Sequence, residues 1–120
     1  MDTIQIANII LSFVIGSIFY LSGVLLLKYP PKSINALYGY RTFRSMKNQD
    51  LWNEGNNYSA EIMKTNGLII MIMGILLSIL FKSIVITILI MGLMILSIVL
   101  MFVKVEKRLK IKESDIAKKI

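Results

Sequence analysis

Three long blocks of uncharged, mostly apolar residues dominate this sequence and limit what it can fold into. They cover residues 4–27, 67–81 and 83–103. The first block has 24 residues and as a helix would be about 36 Å long, more than the hydrocarbon core of about 30 Å. The second becomes long enough when it is extended back to residue 60. The sequence therefore predicts an all-α membrane protein with three transmembrane helices, over 4–27, 60–81 and 83–103.

The first block has one alternative interpretation, a cleaved signal peptide. Such a peptide has basic residues before a shorter apolar core. Here the only charged residue before Ile4 is Asp2, which is acidic, and the apolar block is long. We therefore interpret residues 4–27 as a true span. The apolar content of 56% fits a chain that is largely embedded in lipid.

The distribution of lysine and arginine predicts the orientation of the three spans. Six basic residues lie in residues 28–66, seven lie from Lys104 onward, one (Lys82) lies between the second and third spans, and none precedes Ile4. Because basic residues are retained on the cytoplasmic side, the N-terminus is predicted outside and the C-terminus in the cytoplasm. This asymmetry accounts for the net charge of +7, so no nucleic-acid partner is predicted.

The residue types that are missing exclude several functions. The chain has no cysteine and no histidine, which removes disulfides, thiolate chemistry and imidazole catalysis. The three uncharged blocks hold no ionisable residue of the kind that ion-coupled transporters use. The remaining candidates for a base or nucleophile are carboxylates and hydroxyls: Asp50, Glu54, Glu61, Tyr40 and Ser45. A solvated helix face explains these carboxylates better, so we predict a protein that is not an enzyme and has no cofactor and no metal.

Small and weakly polar residues recur on one face of the first two spans. In the first span they are Gln5, Asn8, Ser12, Gly16 and Gly23, and in the second they are Gly67, Met71, Gly74 and Ser78. Intervals of three, four and seven residues place them on one side of a helix. Such faces allow close helix packing in membranes. We predict that Ser12, Gly16, Gly23, Gly67, Gly74 and Ser78 pack helices together; contact with a partner helix or an intramembrane peptide is the alternative.

The connection between the first two spans, residues 28–59, is called the insert below. Pro30 and Pro31 end the first helix because neither can donate a backbone N–H, and Gly39 marks a turn. Asn48 is a good N-cap for a new helix. An apolar and small stripe follows at helical spacing: Leu51, Gly55, Tyr58 and Ile62. This interfacial helix is predicted to bend or to continue directly into the second span.

The C-terminal tail, residues 104–120, is predicted to be a basic amphipathic helix. Its apolar side would carry Val105, Leu109, Ile116 and Ile120. Its lysines would lie toward anionic lipid headgroups. The alternative is a docking site for a cytosolic protein.

The stretch "GYRTFRSMKNQDLWNEGNNYSAEI" in the insert resembles the signature of the SdpI family, immunity proteins against the sporulation-delaying-protein toxin. Matching positions are Gly39, Arg41, Thr42, Ser45, Trp52 and Asn56. Two positions depart from the pattern: Phe43 stands where proline is usual, and Gly55 stands where a residue such as alanine is usual. The motif covers about 25 residues and, with its flanking spans, the resemblance covers most of this short chain.

The resemblance implies a multi-pass protein of the bacterial cytoplasmic membrane that gives resistance to a membrane-active peptide toxin. It also implies an alternative, a signalling scaffold that sequesters a cytosolic repressor. The partners to expect are the lipid bilayer, a peptide toxin or a repressor, and a second copy of the chain. The residues expected to form the motif or bind a partner are Gly39, Arg41, Thr42, Arg44, Ser45, Trp52 and Asn56.

Three of these residues have specific expected roles. Arg41 is expected to hold the insert by bonding backbone carbonyls or a carboxylate such as Glu54. Trp52 is expected to pack against the base of the bundle. Arg44 is expected to be the arginine that is free for a phosphate or a partner.

Overall fold

The computed structural model describes residues 1–119, which form three helices and no strand. They are α1 (Thr3–Lys28), α2 (Gln49–Leu80) and α3 (Ile84–Lys118). All three are long and apolar enough to cross a membrane, which confirms the predicted all-α membrane fold. The bundle measures 61 × 24 × 19 Å, so about half of its length extends beyond a hydrocarbon core of about 30 Å. Ile120, predicted on the apolar side of the tail, lies outside the described residues.

Helix α1 begins and ends where its sequence contains helix-terminating signals. The Asp2 side chain accepts a hydrogen bond from the Gln5 backbone N–H at 2.8 Å, and the Gln5 side chain accepts one from the Asp2 backbone N–H at 3.3 Å. This reciprocal pair is a capping box. The helix ends at Lys28, directly before the Tyr29–Pro30–Pro31 sequence that cannot continue it.

Helix α2 runs without a break from the insert into the membrane-spanning region. The side chain of its N-cap, Asn48, accepts from the Leu51 N–H at 2.9 Å. The 32 residues correspond to about 48 Å of helix. Of the two alternatives from the sequence, a bend or direct continuation, the structure has direct continuation. No interruption marks residue 60, the predicted start of the second span.

Helix α3 is also continuous and includes the predicted tail. The side chain of Ser83, its N-cap, accepts from the Val85 N–H at 3.1 Å. The helix then continues for 35 residues, about 52 Å, which is more than a bilayer core requires. Residues 104–118 therefore extend the third span, and we call them the α3 extension.

Helices α1 and α2 are antiparallel and touch along a line of small residues, the small-residue seam: Ser12, Gly16, Gly23, Ala60, Gly67 and Gly74. A Cβ added to Gly67 would lie 2.4 Å from the Tyr20 backbone nitrogen, and one on Gly23 would lie 2.5 Å from the Ala60 carbonyl oxygen. These distances leave no room for a side chain. The two backbones are therefore in direct contact, as small residues allow in membrane helices.

Helix α3 packs on this pair through isoleucines and a few polar contacts. Ile15, Ile70, Ile86 and Ile90 form a buried apolar cluster. Polar groups join the ends of the helices farthest from the insert. The Gln5 side chain donates to the Ile79 carbonyl at 3.1 Å, the Asn8 side chain donates to the Ser83 carbonyl at 3.4 Å, and Thr87 donates to the Asn8 side-chain oxygen. Since lipid offers these groups no hydrogen bonds, they satisfy one another within the bundle.

The outer surface of the three spans is covered with exposed aliphatic side chains. Ile10, Ile18 and Leu21 of α1, Ile72 and Leu80 of α2, and Ile84, Ile88 and Ile95 of α3 are each more than half exposed. A continuous apolar surface of this extent fits lipid contact and not water contact.

Candidate functional site

The insert folds into a compact structure against the start of α2 and the α3 extension. The insert turns at Gly39. A glycine is needed there because its φ of +113° is a conformation that other residues rarely adopt. A Cβ at Gly39 would also lie 2.4 Å from the Asn56 side-chain oxygen. The backbone of the insert therefore passes directly over Asn56.

Asn56 joins the insert to α2 through its amide group. Its oxygen accepts from the Tyr40 backbone N–H at 2.6 Å, and its nitrogen donates to the Trp52 carbonyl at 2.8 Å. The side chain is buried, and both bonds satisfy groups that would otherwise be costly to bury.

Trp52 anchors the start of the insert. Its side chain is 0% exposed, and its indole Nε1 donates to the Pro31 carbonyl at 2.7 Å. Proline cannot supply a donor but retains its carbonyl as an acceptor. Trp52 therefore connects the end of α1 to the first turn of α2, at the base of the bundle.

Thr42 and Ser45 bond each other across a tight turn. The Ser45 Oγ accepts from the Thr42 N–H at 2.8 Å, and the Thr42 Oγ1 accepts from the Ser45 N–H at 3.1 Å. Ser45 is fully buried, and its hydroxyl lies 3.1 Å from the Tyr40 carbonyl. The turn holds with Phe43 in place of the usual proline, and the Phe43 side chain is 88% exposed.

Glu106, on the α3 extension, accepts from three residues of the insert. The Tyr40 hydroxyl donates to it at 2.7 Å, the Thr42 hydroxyl at 2.9 Å and the Arg44 Nη1 at 3.5 Å. The Tyr40 ring also lies 5.4 Å from the Phe102 ring. Burial, and then the Glu106 carboxylate, raise the pKa of the Tyr40 hydroxyl well above its ordinary value, since both disfavour a phenolate.

Two further glutamates connect the same elements. Glu113 of the α3 extension lies 3.0 Å from Lys47 and 3.9 Å from the Arg44 Nε. Glu54 of α2 lies 2.7 Å from the Arg108 Nε, and the guanidinium of Arg108 lies over the Tyr58 ring at 4.2 Å. We call Glu54, Glu106, Glu113 and these partners the carboxylate cluster. Beneath it, buried Leu51, Val105 and Leu109 pack together with Tyr40.

Of the two arginines of the motif, Arg41 makes one of its expected contacts, whereas Arg44 is not free as expected. Arg41 donates to the Ala36 backbone carbonyl, one of the two contacts expected for it, whereas Glu54 pairs with Arg108 instead. Arg44, expected to be free for a partner, faces Glu106 and Glu113. The physical reason is that the α3 extension folds back on the insert and brings two carboxylates to Arg44. Arg41 is the more exposed arginine.

The other predicted site residues form two groups. Gly39, Thr42, Ser45, Trp52 and Asn56 meet where the insert contacts α2. The residues expected to pack helices, Ser12, Gly16, Gly23, Gly67, Gly74 and Ser78, are all buried. Five of them lie in the small-residue seam. The Ser78 hydroxyl instead donates to the Gly74 carbonyl of its own helix at 2.6 Å.

Sequence reasoning missed the contribution of the α3 extension to this site. Glu106 and Glu113 are seven residues apart, so they lie on one side of a helix beside the apolar Val105–Leu109 pair. Acidic residues on one face of a basic tail could have indicated that the tail contributes to the site. Their insert partners could not be read from the sequence, because the pairing depends on how the chain folds back.

The chemistry of the site is that of structural pairing. Within residues 1–119 no group of three His, Cys, Asp or Glu side chains could hold a metal ion. Each glutamate of the carboxylate cluster faces a cation, and Glu106 also accepts from two hydroxyls. The arrangement can hold the insert and the α3 extension in fixed relative positions.

Comparison with known protein sequences identifies the family of this chain. The sequence model of the SdpI/YfhL protein family matches residues 32–104, which include most of the insert and both later spans. The uncharacterized protein YfhL of Bacillus subtilis (strain 168) is 50% identical over 97 residues, covering 80% of this chain and 83% of the relative. No solved structure matches. On the family match and this identity, the chain belongs to the SdpI/YfhL protein family.

Proposed function

We propose that this chain is an SdpI-like immunity protein of the bacterial cytoplasmic membrane, which protects its host against a membrane-active peptide toxin. The observation that carries the proposal is family membership, because the family match spans the insert motif and two of the three helices. The three helices, which are long and apolar enough to cross a membrane, support it because a membrane-active toxin acts within a bilayer.

The fold limits the surfaces to which a toxin could bind. The small-residue faces of α1 and α2 are in contact with each other in the seam, so they are not available to a peptide. Helix α3 keeps an open face: Ile88, Ile95 and Val99 are each at least half exposed, and a Cβ on Gly92 would meet nothing within 4 Å. These residues lie at helical spacing around Gly92. We propose this face as the contact for an apolar peptide helix.

Toxin challenge tests the proposal. A sensitive bacterial host carrying this chain is exposed to purified sporulation-delaying-protein toxin, and survival is compared with a host carrying an empty vector. We expect protection, and we expect Gly92→Leu to reduce it because the leucine side chain occupies the open space at Gly92. Leu76→Phe, on the exposed face of α2, is the matched control and should protect fully. Absence of protection at normal membrane levels of the protein would contradict the proposal.

A second candidate is a scaffold that sequesters a cytosolic repressor. The observation that favours it is the exposed basic side of the α3 extension, where Lys107, Lys110 and Lys118 surround exposed Ile111. Deleting the tail is a poor test because Arg108, Leu109 and Glu113 bind the insert. Changing Lys107, Lys110 and Lys118 to glutamine leaves those contacts intact. Loss of membrane recruitment of a repressor in this variant would support the scaffold, and unchanged recruitment would exclude this surface.

A further inference from the structure

A cavity of about 420 Å³ lies between α1 and α3 at the end of the bundle that carries the insert. At their other ends, the two helices are joined by the contacts of Asn8 with Ser83 and Thr87. The lining of the cavity includes Ser22 and Leu25 of α1, Met63 of α2 and Phe102 of α3. Tyr38 and Arg41 of the insert line the part of the cavity nearest the insert.

The mouth of this cavity faces the surrounding lipid. Leu25 is 52% exposed and Phe102 is 41% exposed, and both lie at helix positions that continue the apolar outer surface. The lining is mostly apolar with a few polar groups at one end. Cavities of a few hundred Å³ with this distribution are typical of ligand sites. An occupant must therefore be apolar along most of its length and polar at the insert.

Arg41 determines the charge of that polar end. Its guanidinium donates to the Ala36 carbonyl, and within residues 1–119 it forms no ion pair. Arg44 and Arg108, in contrast, each face a glutamate. Arg41 thus places an uncompensated positive charge at the end of an apolar cavity. A planar guanidinium with unused N–H groups is well suited to a phosphate.

We propose that this cavity binds one acyl chain of an anionic phospholipid, with the lipid phosphate on Arg41. Basic pockets between membrane helices on the cytoplasmic side bind anionic headgroups, and the charge distribution predicts that side for the insert. Charge complementarity and the lateral opening together select a lipid over a soluble anion. The proposal does not depend on toxin resistance and adds a ligand to the fold.

Native mass spectrometry of the detergent-purified chain tests the proposal. The chain is titrated with 1-palmitoyl-2-oleoyl phosphatidylglycerol or with the phosphatidylcholine that carries the same chains. We expect one phosphatidylglycerol to bind about tenfold more tightly than phosphatidylcholine. Both lipids carry the phosphate, but the choline ammonium cancels its charge and is repelled by Arg41. Arg41→Gln should remove this preference, and Arg41→Lys should keep part of it. Lys82→Gln, at the opposite end of the bundle, is the control and should change nothing.

Filling the cavity tests the acyl chain separately. Ser22→Phe places a ring inside the cavity and should abolish tight binding of both lipids. Leu21→Phe adds a similar ring on the neighbouring exposed position, which does not line the cavity, and should not affect binding. Circular dichroism checks that each variant is folded, and the lipid preference of the unmodified chain tests the proposal even if a variant does not fold.

Three outcomes would overturn the proposal. The first is equal affinity for the two lipids. The second is unchanged phosphatidylglycerol binding in folded Ser22→Phe. The third is full competition by inorganic phosphate at matched concentration, which would show an anion site without a chain site.

Discussion

The small-residue seam lies within the membrane-spanning part of the bundle, whereas the carboxylate cluster joins the insert to the α3 extension beyond it. In the seam, small residues let the backbones of α1 and α2 approach each other closely. In the cluster, long side chains reach across from separate elements and pair by charge. The difference follows from the surroundings. Lipid provides no hydrophobic force between helices, so close backbone packing must hold them. Where water is present, apolar burial and ion pairs contribute.

The largest loss of stability is expected for substitution of Trp52, which lies outside the small-residue seam. Trp52→Ala would leave a cavity where a fully buried indole now lies, and should lower the free energy of unfolding by about 3–5 kcal/mol. Thermal unfolding followed by circular dichroism in detergent measures the loss. Trp52→Phe should cost about 1 kcal/mol through the lost bond to the Pro31 carbonyl. Equal losses for the two variants would show that burial is not the dominant contribution.

Gly67→Leu tests the seam itself. A Cβ at this position meets the Tyr20 backbone at 2.4 Å, so α1 and α2 must separate, and the loss should be about 3 kcal/mol. The same thermal unfolding measures it. Gly92→Leu makes the same chemical change at a position with nothing within 4 Å. Since leucine is the better helix former, a comparable loss in Gly92→Leu would mean that the added side chain, and not the backbone contact at Gly67, causes the loss.

Tyr40→Phe tests the carboxylate cluster. Removing the hydroxyl that donates to Glu106 at 2.7 Å should cost about 2 kcal/mol at neutral pH, since the acceptor is charged. Thermal unfolding at pH 7 measures this loss. Unchanged stability would contradict the bond.

The same hydroxyl predicts a pH dependence. The folded state raises the pKa of Tyr40 above its ordinary value of 10.0. The unfolded chain therefore releases the proton first, and stability is full below about pH 10 and falls as pH rises above it. Melting temperatures between pH 8 and 11 should decline more steeply for the unmodified chain than for Tyr40→Phe. Parallel declines would assign the effect to other groups, such as lysines.

The smallest loss of stability is expected at the exposed edge of the carboxylate cluster. Glu54→Gln removes the ion pairs with Arg108 and Lys112, and the Arg108 side chain is 53% exposed. Such pairs contribute about 0–1 kcal/mol because solvent screens them. Chemical unfolding at low and at high salt measures the difference, which should nearly vanish at high salt. A salt-independent loss above 1 kcal/mol would indicate that Glu54 is more shielded than its exposure indicates.

The sequence predicted the three spans well because lipid imposes a simple requirement, a long uncharged helix. The recurrence of Gln5, Asn8, Ser12, Gly16 and Gly23 identified a face that the structure buries. The helical periodicity is local, so it can be read without knowing the partner helix.

The site outside the membrane was less predictable. The carboxylates that Arg44 faces, Glu106 and Glu113, could not be predicted because they lie more than 60 residues away in the sequence. Nothing near Arg44 in the chain indicates them. The role of Gly39 as a turn could be predicted from its residue type, but its contact with Asn56 depends on the path of the insert across α2.

The continuity of α2 has a mechanical consequence. One end of this helix carries Trp52 and Asn56, which hold the insert, and the other end leads into the short turn around Lys82. Without a hinge between them, α2 acts as a stiff rod of about 48 Å. A tilt of about 10° imposed at the Lys82 end would displace the insert end by about 8 Å, by the geometry of a rod of that length. A disturbance that tilts α2 at one surface of the bilayer would therefore move the insert at the other.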